Sequence, residues 1–255
     1  MITLISDMKT IIKFYLQSQH TNVVPTDMEV EILRSVEYWK WKNLGLDSDL
    51  QTEIVISKDP GPDVIPLGSV EFCKDYTLKI DQLKGNAIFK PLGIPDCMKE
   101  SKYLGRIYQY HSPNSDFLCP EGSWFVKSRN ICKFVGNGWY NRGDSLPVVP
   151  GGVDLTSRLN DIVGEFRVFL GRRGEIKDVR NYIGWEVWPN KNTLLRFAEL
   201  LYNEIQRPLS FDVVVTSSGN TYFLEAHDYW ALGLYGFSEP QSLPFYIKDW
   251  WSQKI

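Results

Sequence analysis

Two acids interrupt apolar, strand-like runs in the last fifth of the chain. Asp212 lies in the run Phe211–Val215, Glu225 closes the run Thr221–Glu225, and residues 216–220 join the two runs. A carboxylate in an apolar strand is costly to desolvate unless a cation or hydrogen-bond donors compensate for it. Two such acids at matched ends of a hairpin suit a magnesium site, because Mg²⁺ prefers a few carboxylate oxygens together with phosphate oxygens and water. The alternative is a half-exposed sheet in which both acids point into solvent.

Two lysines upstream lie where an anion could be held. Lys127 ends the apolar run Trp124–Lys127, and a lysine in that position either reaches out to solvent or binds an anion. Lys133 precedes the glycine-bearing segment Phe134–Gly138, whose backbone amides could approach a phosphate closely. The two lysines therefore flank a candidate phosphate-binding loop.

A third cation, Arg167, lies in the strand-like segment Glu165–Phe169. Because alternate strand residues share a face, Arg167 points to the same side as Glu165 and Phe169. Its ordinary role would be a salt bridge with Glu165 or with a neighbouring acid. As a set, however, three cations and two carboxylates on successive strands suit a magnesium-bound nucleoside triphosphate. No nucleophile with a paired base accompanies them, so catalysis would depend on positioning and charge stabilisation, as in phosphoryl transfer.

The elements that must position these residues predict an α+β fold. A strand is expected over residues 2–5 and a helix over residues 8–15, and Thr26 and Glu29 form a capping-box pair that starts a second helix. Further strands are expected over residues 53–57, 123–127, 132–135, 166–170 and 175–179, and helices over 194–205, capped by Asn190, and 242–252. Residues 1–85 should form a small α/β lobe, and residues 86–255 a predominantly antiparallel region.

Composition excludes several classes of protein. With 43% hydrophobic and 23% charged residues and a net charge of −3, the chain has no electrostatic footprint for duplex nucleic acid. No apolar run is long enough for a membrane span, and the apolar run at the start is too short for a signal peptide. The four cysteines are widely spaced and form no CxxC pair, which indicates free thiols in a reducing compartment. A cytoplasmic protein is expected.

The strand motifs resemble those of the ATP-grasp superfamily. The matching segments are Trp124–Lys127, Glu165–Phe169, Phe211–Val213 and Leu224–Gly236, within about residues 60–240. More narrowly, the chain is similar to the short phage and bacterial clade named for one arginine and two lysines around its nucleotide. That clade also shows an Ile-Pro-x-Gly-Ser segment like Ile65–Ser69.

The resemblance implies an ATP-grasp-like fold in which two α/β subdomains clasp the nucleotide next to a small N-terminal α/β lobe. It implies that Lys127 contacts the nucleotide phosphates and that Lys133 and Arg167 are the other clade cations, with catalytic roles. Glu165 is expected at the nucleotide as well. It further implies that Asp212 and Glu225 coordinate Mg²⁺.

One position departs from the family pattern. The family normally has asparagine two residues after the second metal acid, and here that residue is His227, followed by Asp228. Imidazole can ligate a metal but suits softer ions than Mg²⁺. His227 is therefore a third metal ligand, a contact to phosphate or substrate with Asp228 supplying an oxygen, or a packing residue. The lysine that the superfamily carries upstream of the glycine loop has three candidates: Lys90, Lys99 and Lys102.

The expected function is that of an ATP- and Mg²⁺-dependent ligase that activates a carboxylate as an acylphosphate for capture by an amine or thiol. Its substrates would be small-molecule or peptide carboxylates and amines. One alternative keeps the fold but makes the protein a nucleotide-binding regulator or a phosphotransferase. A second alternative is an aromatic-rich binding module without catalysis, which the pairs Trp185/Trp188 and Trp250/Trp251 suggest.

Overall fold

The computed structural model describes residues 9–45, 51–80, 89–112, 118–131, 134–184, 187–230 and 232–253. The chain divides into two compact units. The first comprises Met1–Gly85, Tyr229–Leu234 and Ser238–Ile255, and the second comprises Asn86–Asp228 and Tyr235–Phe237. The division into two functional domains, residues 1–85 and 86–255, stays a prediction. No helix in the described ranges has both the length and the apolar composition needed to cross a bilayer.

A parallel three-stranded sheet lies at the centre of the first unit. Its strands are β1 (Thr10–Leu16), β2 (Thr52–Ile56) and β3 (Val64–Leu67), in the order β2-β1-β3. The helix predicted over residues 8–15 is wrong, because residues 10–16 form a strand. Every second residue of β1, namely Ile12, Phe14 and Leu16, is buried. This period of two is that of a strand, and it outweighs the helical spacing of Ile11 and Tyr15. The strand predicted over residues 2–5 lies outside the described residues.

The described residues of the first unit also include three α-helices: α1 (Asp27–Lys42), α2 (Val70–Lys79) and, in the C-terminal segment, α5 (Leu243–Ser252). The predicted capping box is confirmed at α1: the hydroxyl of Thr26 accepts from the backbone N–H of Glu29 at 3.3 Å, and the Glu29 carboxylate accepts the N–H of Thr26 at 2.8 Å. Trp250 and Trp251 are buried, and Trp250 stacks on Trp230 with 5.7 Å between ring centroids. This pair therefore packs within the unit, as a core would require.

The second unit contains two antiparallel four-stranded sheets, which confirms the predicted α+β class with antiparallel pairing. The first sheet consists of β8 (Ile162–Leu170), β9 (Ile176–Gly184), β10 (Leu209–Thr216) and β11 (Thr221–His227), in the order β11-β10-β8-β9. The second consists of β4 (Tyr108–His111), β5 (Ser123–Ser128), β6 (Gly138–Asn141) and β7 (Val153–Ser157), in the order β4-β7-β5-β6. Two helices accompany them, α3 (Ser101–Leu104) and α4 (Lys191–Ile205). In the strand predicted over residues 132–135, the first two residues lie outside the described part and Phe134 and Val135 are not in a strand.

One face of the β11-β10-β8-β9 sheet is covered by α4. Asn190 caps this helix by accepting from the backbone N–H of Thr193 at 3.0 Å, as predicted. The sheet side chains in this apolar core include Phe166, Val168, Phe211, Val213 and Phe223. Because side chains alternate along a strand, the residues between them point to the opposite face. That second face carries Arg167 and Asp212.

The capping box of α1 gives a stability prediction. Glu29 is fully buried, and besides Thr26 its carboxylate accepts the backbone N–H of Ser18 at 2.8 Å. Glu29→Ala leaves these buried donors unpaired, so we expect the free energy of unfolding to fall by about 3 kcal/mol. Urea denaturation followed by tryptophan fluorescence measures this. The control is Glu37→Ala, on the exposed side of α1, whose pair with Lys40 at 2.7 Å is worth less than about 1 kcal/mol; equal losses in the two variants would contradict the assignment.

Candidate active site

The predicted acids and one predicted cation lie side by side across three strands. Asp212 on β10 is paired with Glu225 on β11 and, on its other side, with Arg167 on β8. Directly opposed residues of neighbouring strands have side chains within contact distance on the same face. The three side chains therefore form a row on the sheet face opposite α4.

A β-bulge puts Glu225 into this row. The register pairs Val213 with Phe223 and Asp212 with Glu225, so Leu224 has no partner on β10. Without that extra residue, strict alternation would turn the Glu225 side chain to the same face as Phe223, toward α4. The bulge lets Phe223 stay in the apolar core while Glu225 and His227 both face the site.

The Arg167–Asp212 pair is the most deeply buried ion pair of the site. Nε of Arg167 donates to Oδ1 of Asp212 and its Nη2 donates to Oδ2, both at 2.8 Å, and the two residues are 6% and 2% exposed. The guanidinium also lies over the rings of Tyr235 and Tyr182, at 5.1 and 5.8 Å from their centroids. Asp212 thus does not face solvent, and Arg167 is held by charge and by two aromatic rings.

The electrostatic surroundings keep both acids ionised. Burial alone would raise the pKa of Asp212, but hydrogen bonds from Arg167 and His227 outweigh it and lower this pKa to about 2. Burial also opposes ionisation of Glu225, and the neighbouring His227 and Lys127 lower its pKa nonetheless. Lys127 forms an ion pair with the Glu225 carboxylate. One buried and one part-buried carboxylate, both negatively charged, suit a cation site.

His227 completes a set of three possible ligands. Its Nε2 lies 3.1 Å from Oδ2 of Asp212 and 3.7 Å from Oε1 of Glu225. One ligand atom from each of the three residues lies within 4.8 Å of the others. Two carboxylates and one imidazole fit a divalent cation by the chemistry of their donors.

A cavity of about 690 Å³ opens beside this row. Its charged lining residues are Lys90, Arg106, Lys127, Arg129, Asp154, Glu165 and Glu225. Its apolar walls include Leu92, Ile94, Phe125, Trp139, Ile162 and Leu224. A concave site with apolar walls and a few convergent charges is typical of a small-molecule site.

Comparison with known proteins shows what this arrangement resembles. Residues 119–244, which contain β5 to β11, match the model of an ATP-grasp domain, the second family of the clade named for one arginine and two lysines. This part of the chain is therefore similar to an ATP-grasp domain. The resemblance of its motifs to that superfamily and clade is confirmed. No curated protein matches the chain.

Solved structures share the ATP-grasp fold at low sequence identity. N5-carboxyaminoimidazole synthetase from Staphylococcus aureus is 9% identical with a TM-score of 0.53, over 95% of this chain and 78% of that one. The same enzyme complexed with ADP gives 9% identity and a TM-score of 0.52, over 95% and 79%. The ATP-grasp ligase PsnB complexed with a minimal precursor gives 9% and 0.50, over 95% and 99%. At such identity the likeness shows the fold alone.

The site also contains a cation that the sequence analysis missed. Arg106 lines the cavity, and its Nε is buried without a hydrogen-bond partner among the described residues. Its Nη2 donates weakly to the carbonyl oxygen of Leu224, the bulge residue, at 3.4 Å. Burial lowers the pKa of Arg106, while Glu225 and Glu165 oppose that shift. No local pattern marks Arg106, because it follows the short helix α3 and precedes a strand that was not predicted.

The remaining predicted residues fall into different surroundings. Of the three candidate upstream lysines, Lys90 lines the cavity and the other two do not. Lys99 pairs with Asp96, and Lys102 pairs with Glu100. Lys133 lies outside the described residues. Its role, and the nucleotide-binding and catalytic roles of the other site residues, stay predictions.

Glu165 and Asp228 have their own partners. Glu165 is half-buried beside the cavity, burial raises its pKa, and the hydroxyl of Tyr182 hydrogen-bonds to it. Asp228 accepts from Nε and Nη2 of Arg207 at 2.9 and 2.8 Å and is 6% exposed. Asp228 is therefore part of a separate buried ion pair, and His227, two residues after Glu225, is the side chain that reaches the acids.

The lowered pKa of Asp212 makes stability depend on pH. A depressed carboxyl pKa contributes stability that is complete above about pH 4 and is lost as the pH falls toward about 2. In buffer with a chelator, we expect wild-type protein to lose about 2 kcal/mol of unfolding free energy from this group over that range. Asp212→Asn should remove this part of the pH dependence and cost about 3–5 kcal/mol at neutral pH, because Arg167 is left buried without its partner.

Denaturation curves at pH 7, 4, 3 and 2 measure both effects. Asp75→Asn, on the exposed side of α2, removes the same charge without a buried partner and should leave stability within about 0.5 kcal/mol. An Asp212→Asn variant that keeps the wild-type pH dependence would show that the pKa of this carboxyl is not depressed by folding.

Proposed function

We propose that the chain is an ATP- and divalent-metal-dependent ligase that activates a carboxylate as an acylphosphate for capture by an amine or thiol. The observation that carries the proposal is one cavity lined by two cations without ion-pair partners among the described residues, Lys90 and Arg106, and by the ion-paired Lys127 and Glu225. The family match supports a nucleotide as the ligand. The ADP complex of a protein with the same fold supports it further.

The charges of the cavity suit a triphosphate. Arg129 pairs with Asp154 at 3.3 Å, and Lys127 pairs with Glu225. Lys90 and Arg106 are thus left to bind an anion. A buried cation such as Arg106 acts on phosphate oxygens more strongly than a cation in water, because its surroundings screen it less.

Asp212, Glu225 and His227 would hold a divalent cation, which supplies charge neutralisation at the phosphate oxygens when bound. Lys127 would then release Glu225 and pair with a phosphate oxygen, exchanging one ion pair for another. Arg167 keeps both of its hydrogen bonds to Asp212 in this scheme, so it acts as a positioning residue for that carboxylate. Lys133 is proposed as a further phosphate-binding and catalytic cation on the resemblance alone.

The reaction needs no protein nucleophile. An oxygen of the substrate carboxylate attacks the γ-phosphorus, the bond from that phosphorus to the β,γ-bridging oxygen breaks, and ADP leaves with the electron pair. The amine or thiol then attacks the acyl carbon and loses a proton, and inorganic phosphate leaves with the electron pair of the acyl C–O bond. The protein contributes by neutralising the phosphate charges and by excluding water from the cavity.

Arg106 offers a test of nucleotide binding that is separable from folding. Arg106→Met removes a charge-assisted donor to phosphate, so the dissociation constant of a nonhydrolysable ATP analogue should rise about 10–100-fold. The melting temperature of the free protein should not fall, because the substitution removes a buried N–H that has no partner among the described residues. Calorimetric titration and thermal melting measure the two quantities.

The matched control is Arg142→Met, which removes the same charge from a side chain that is 76% exposed. We expect it to bind the analogue as the wild type does. Unchanged binding in Arg106→Met would refute the phosphate-binding role, and loss of binding together with a lower melting temperature would indicate a structural role instead.

Ligation is tested by the fate of carboxylate oxygen. The protein is incubated with ATP, a pool of amino acids and short peptides whose carboxylates carry ¹⁸O, and an excess of amine. Transfer through an acylphosphate leaves one labelled oxygen in inorganic phosphate and forms a new amide, with ADP as the nucleotide product. ADP with a phosphorylated product, and with neither inorganic phosphate nor a new amide, would favour a phosphotransferase, and AMP with pyrophosphate would contradict the proposed chemistry.

A further inference from the structure

We infer that His227 makes the metal site selective for a divalent transition ion of the Mn²⁺ type over Mg²⁺. The inference rests on the proposed function, because it takes the cation to lie between Asp212 and Glu225. What it adds is the identity of the ion, which the donor atoms of this chain determine.

The position of His227 is fixed by the backbone. It is the last residue of β11 and pairs with Ser210 on β10. Because side chains alternate along a strand, the His227 side chain lies on the same face as that of Glu225, and the bulge at Leu224 turns both toward Asp212. The imidazole is thus held beside the acids by strand register and is not a surface side chain that reaches them through a flexible stem.

The ring nitrogen that faces the acids is Nε2, the atom 3.1 Å from Asp212 and 3.7 Å from Glu225. These distances put Nε2 among the oxygens that a cation would bind. A neutral imidazole protonated at Nδ1 has its lone pair on Nε2, and that lone pair would point toward the same cation as the two carboxylates. The third protein donor is consequently a nitrogen.

A nitrogen donor changes the order of metal affinities. Mg²⁺ prefers oxygen ligands in a near-ideal octahedron and gives up its water reluctantly. Imidazole binds first-row transition ions well, whereas carboxylates suit Mg²⁺ and Mn²⁺ alike. Two carboxylates, one imidazole and the oxygens of a phosphate therefore favour Mn²⁺ over Mg²⁺.

Among the described residues, the side chain grouped with the two acids is His227 and not the neighbouring Asp228. Oδ1 of Asp228 accepts from both Nε and Nη2 of Arg207. Lys127 competes with a metal for Glu225, whereas Arg167 keeps its hydrogen bonds to Asp212. A metal that gains affinity from a nitrogen ligand displaces Lys127 more readily than one bound by the carboxylates alone.

The test measures metal preference by binding. The 255-residue chain with a nonhydrolysable ATP analogue is titrated with Mn²⁺, the free ion is followed by electron paramagnetic resonance, and Mg²⁺ is then added as competitor. His227→Asn replaces the nitrogen donor by an amide oxygen at a similar distance from the backbone. Because even outer-sphere partners of a metal site affect affinity about 10–100-fold, we expect the Mn²⁺-to-Mg²⁺ affinity ratio to fall at least about tenfold in this variant.

Two further measurements separate the inference from the proposed function. In wild-type protein, electron spin echo envelope modulation of bound Mn²⁺ should show ¹⁴N coupling from one directly bound imidazole, whether or not the variant folds. His20→Asn, in the first unit, serves as the control and should leave both the ratio and the coupling unchanged. Mn²⁺ binding should also be lost in Asp212→Asn.

Mn²⁺ binding that depends on Asp212 but shows no ¹⁴N coupling overturns the inference and leaves the proposed function standing. An unchanged Mn²⁺-to-Mg²⁺ affinity ratio in His227→Asn has the same consequence. Mn²⁺ binding that survives in Asp212→Asn places the metal elsewhere and overturns both. A reduced ratio together with nitrogen coupling supports the assignment.

Discussion

The site depends on one requirement, that a carboxylate stay ionised while almost completely buried. Asp212 is 2% exposed, and burial by itself would favour its neutral form. Two parallel hydrogen bonds from Arg167 reverse that preference. Buried ion pairs of this kind contribute little net stability, since desolvation offsets most of the attraction. The pair is therefore better explained by what an ionised Asp212 can hold than by what it adds to the fold.

The two faces of one sheet separate stability from chemistry. Alternate residues of β8 and β10 enter the apolar core under α4, and the residues between them form the site. This arrangement anchors each site residue between two core residues of the same strand. The alternation is interrupted at Leu224 on β11 and at Tyr182 and Lys177 on β9. Two of these interruptions affect the site: the one at Leu224 turns Glu225 toward Asp212, and the ring of Tyr182 lies over Arg167.

The interruptions of strand alternation limit what could be predicted from the sequence. The acids of the hairpin, the cations Lys127 and Arg167, and the caps Thr26 and Asn190 all carry local signals, because a period of two or a capping pair is visible over a few residues. The bulge at Leu224 carries none, since Tyr222 to His227 alternates plausibly in either register. Arg106 was missed for the same reason: its importance comes from strands that lie far from it in the chain. Ser69, by contrast, lies in a segment with a visible local pattern, the one that resembles the clade. It also caps α2, where its side chain accepts from the backbone N–H of Phe72.

The ion pairs of the site are arranged so that binding must rearrange them. Arg167 donates two hydrogen bonds to Asp212, which lies deep in the sheet, whereas Lys127 and Glu225 meet at the cavity wall. The two pairs differ in exposure, 7% and 3% for the side chains of the first against 30% and 25% for the second. Breaking the Arg167–Asp212 pair would leave charges uncompensated in surroundings that screen them poorly. The Lys127–Glu225 pair can exchange partners at a lower cost in free energy. The deep pair is thus a fixed part of the scaffold, and the outer pair is where an incoming anion and cation can each replace one member.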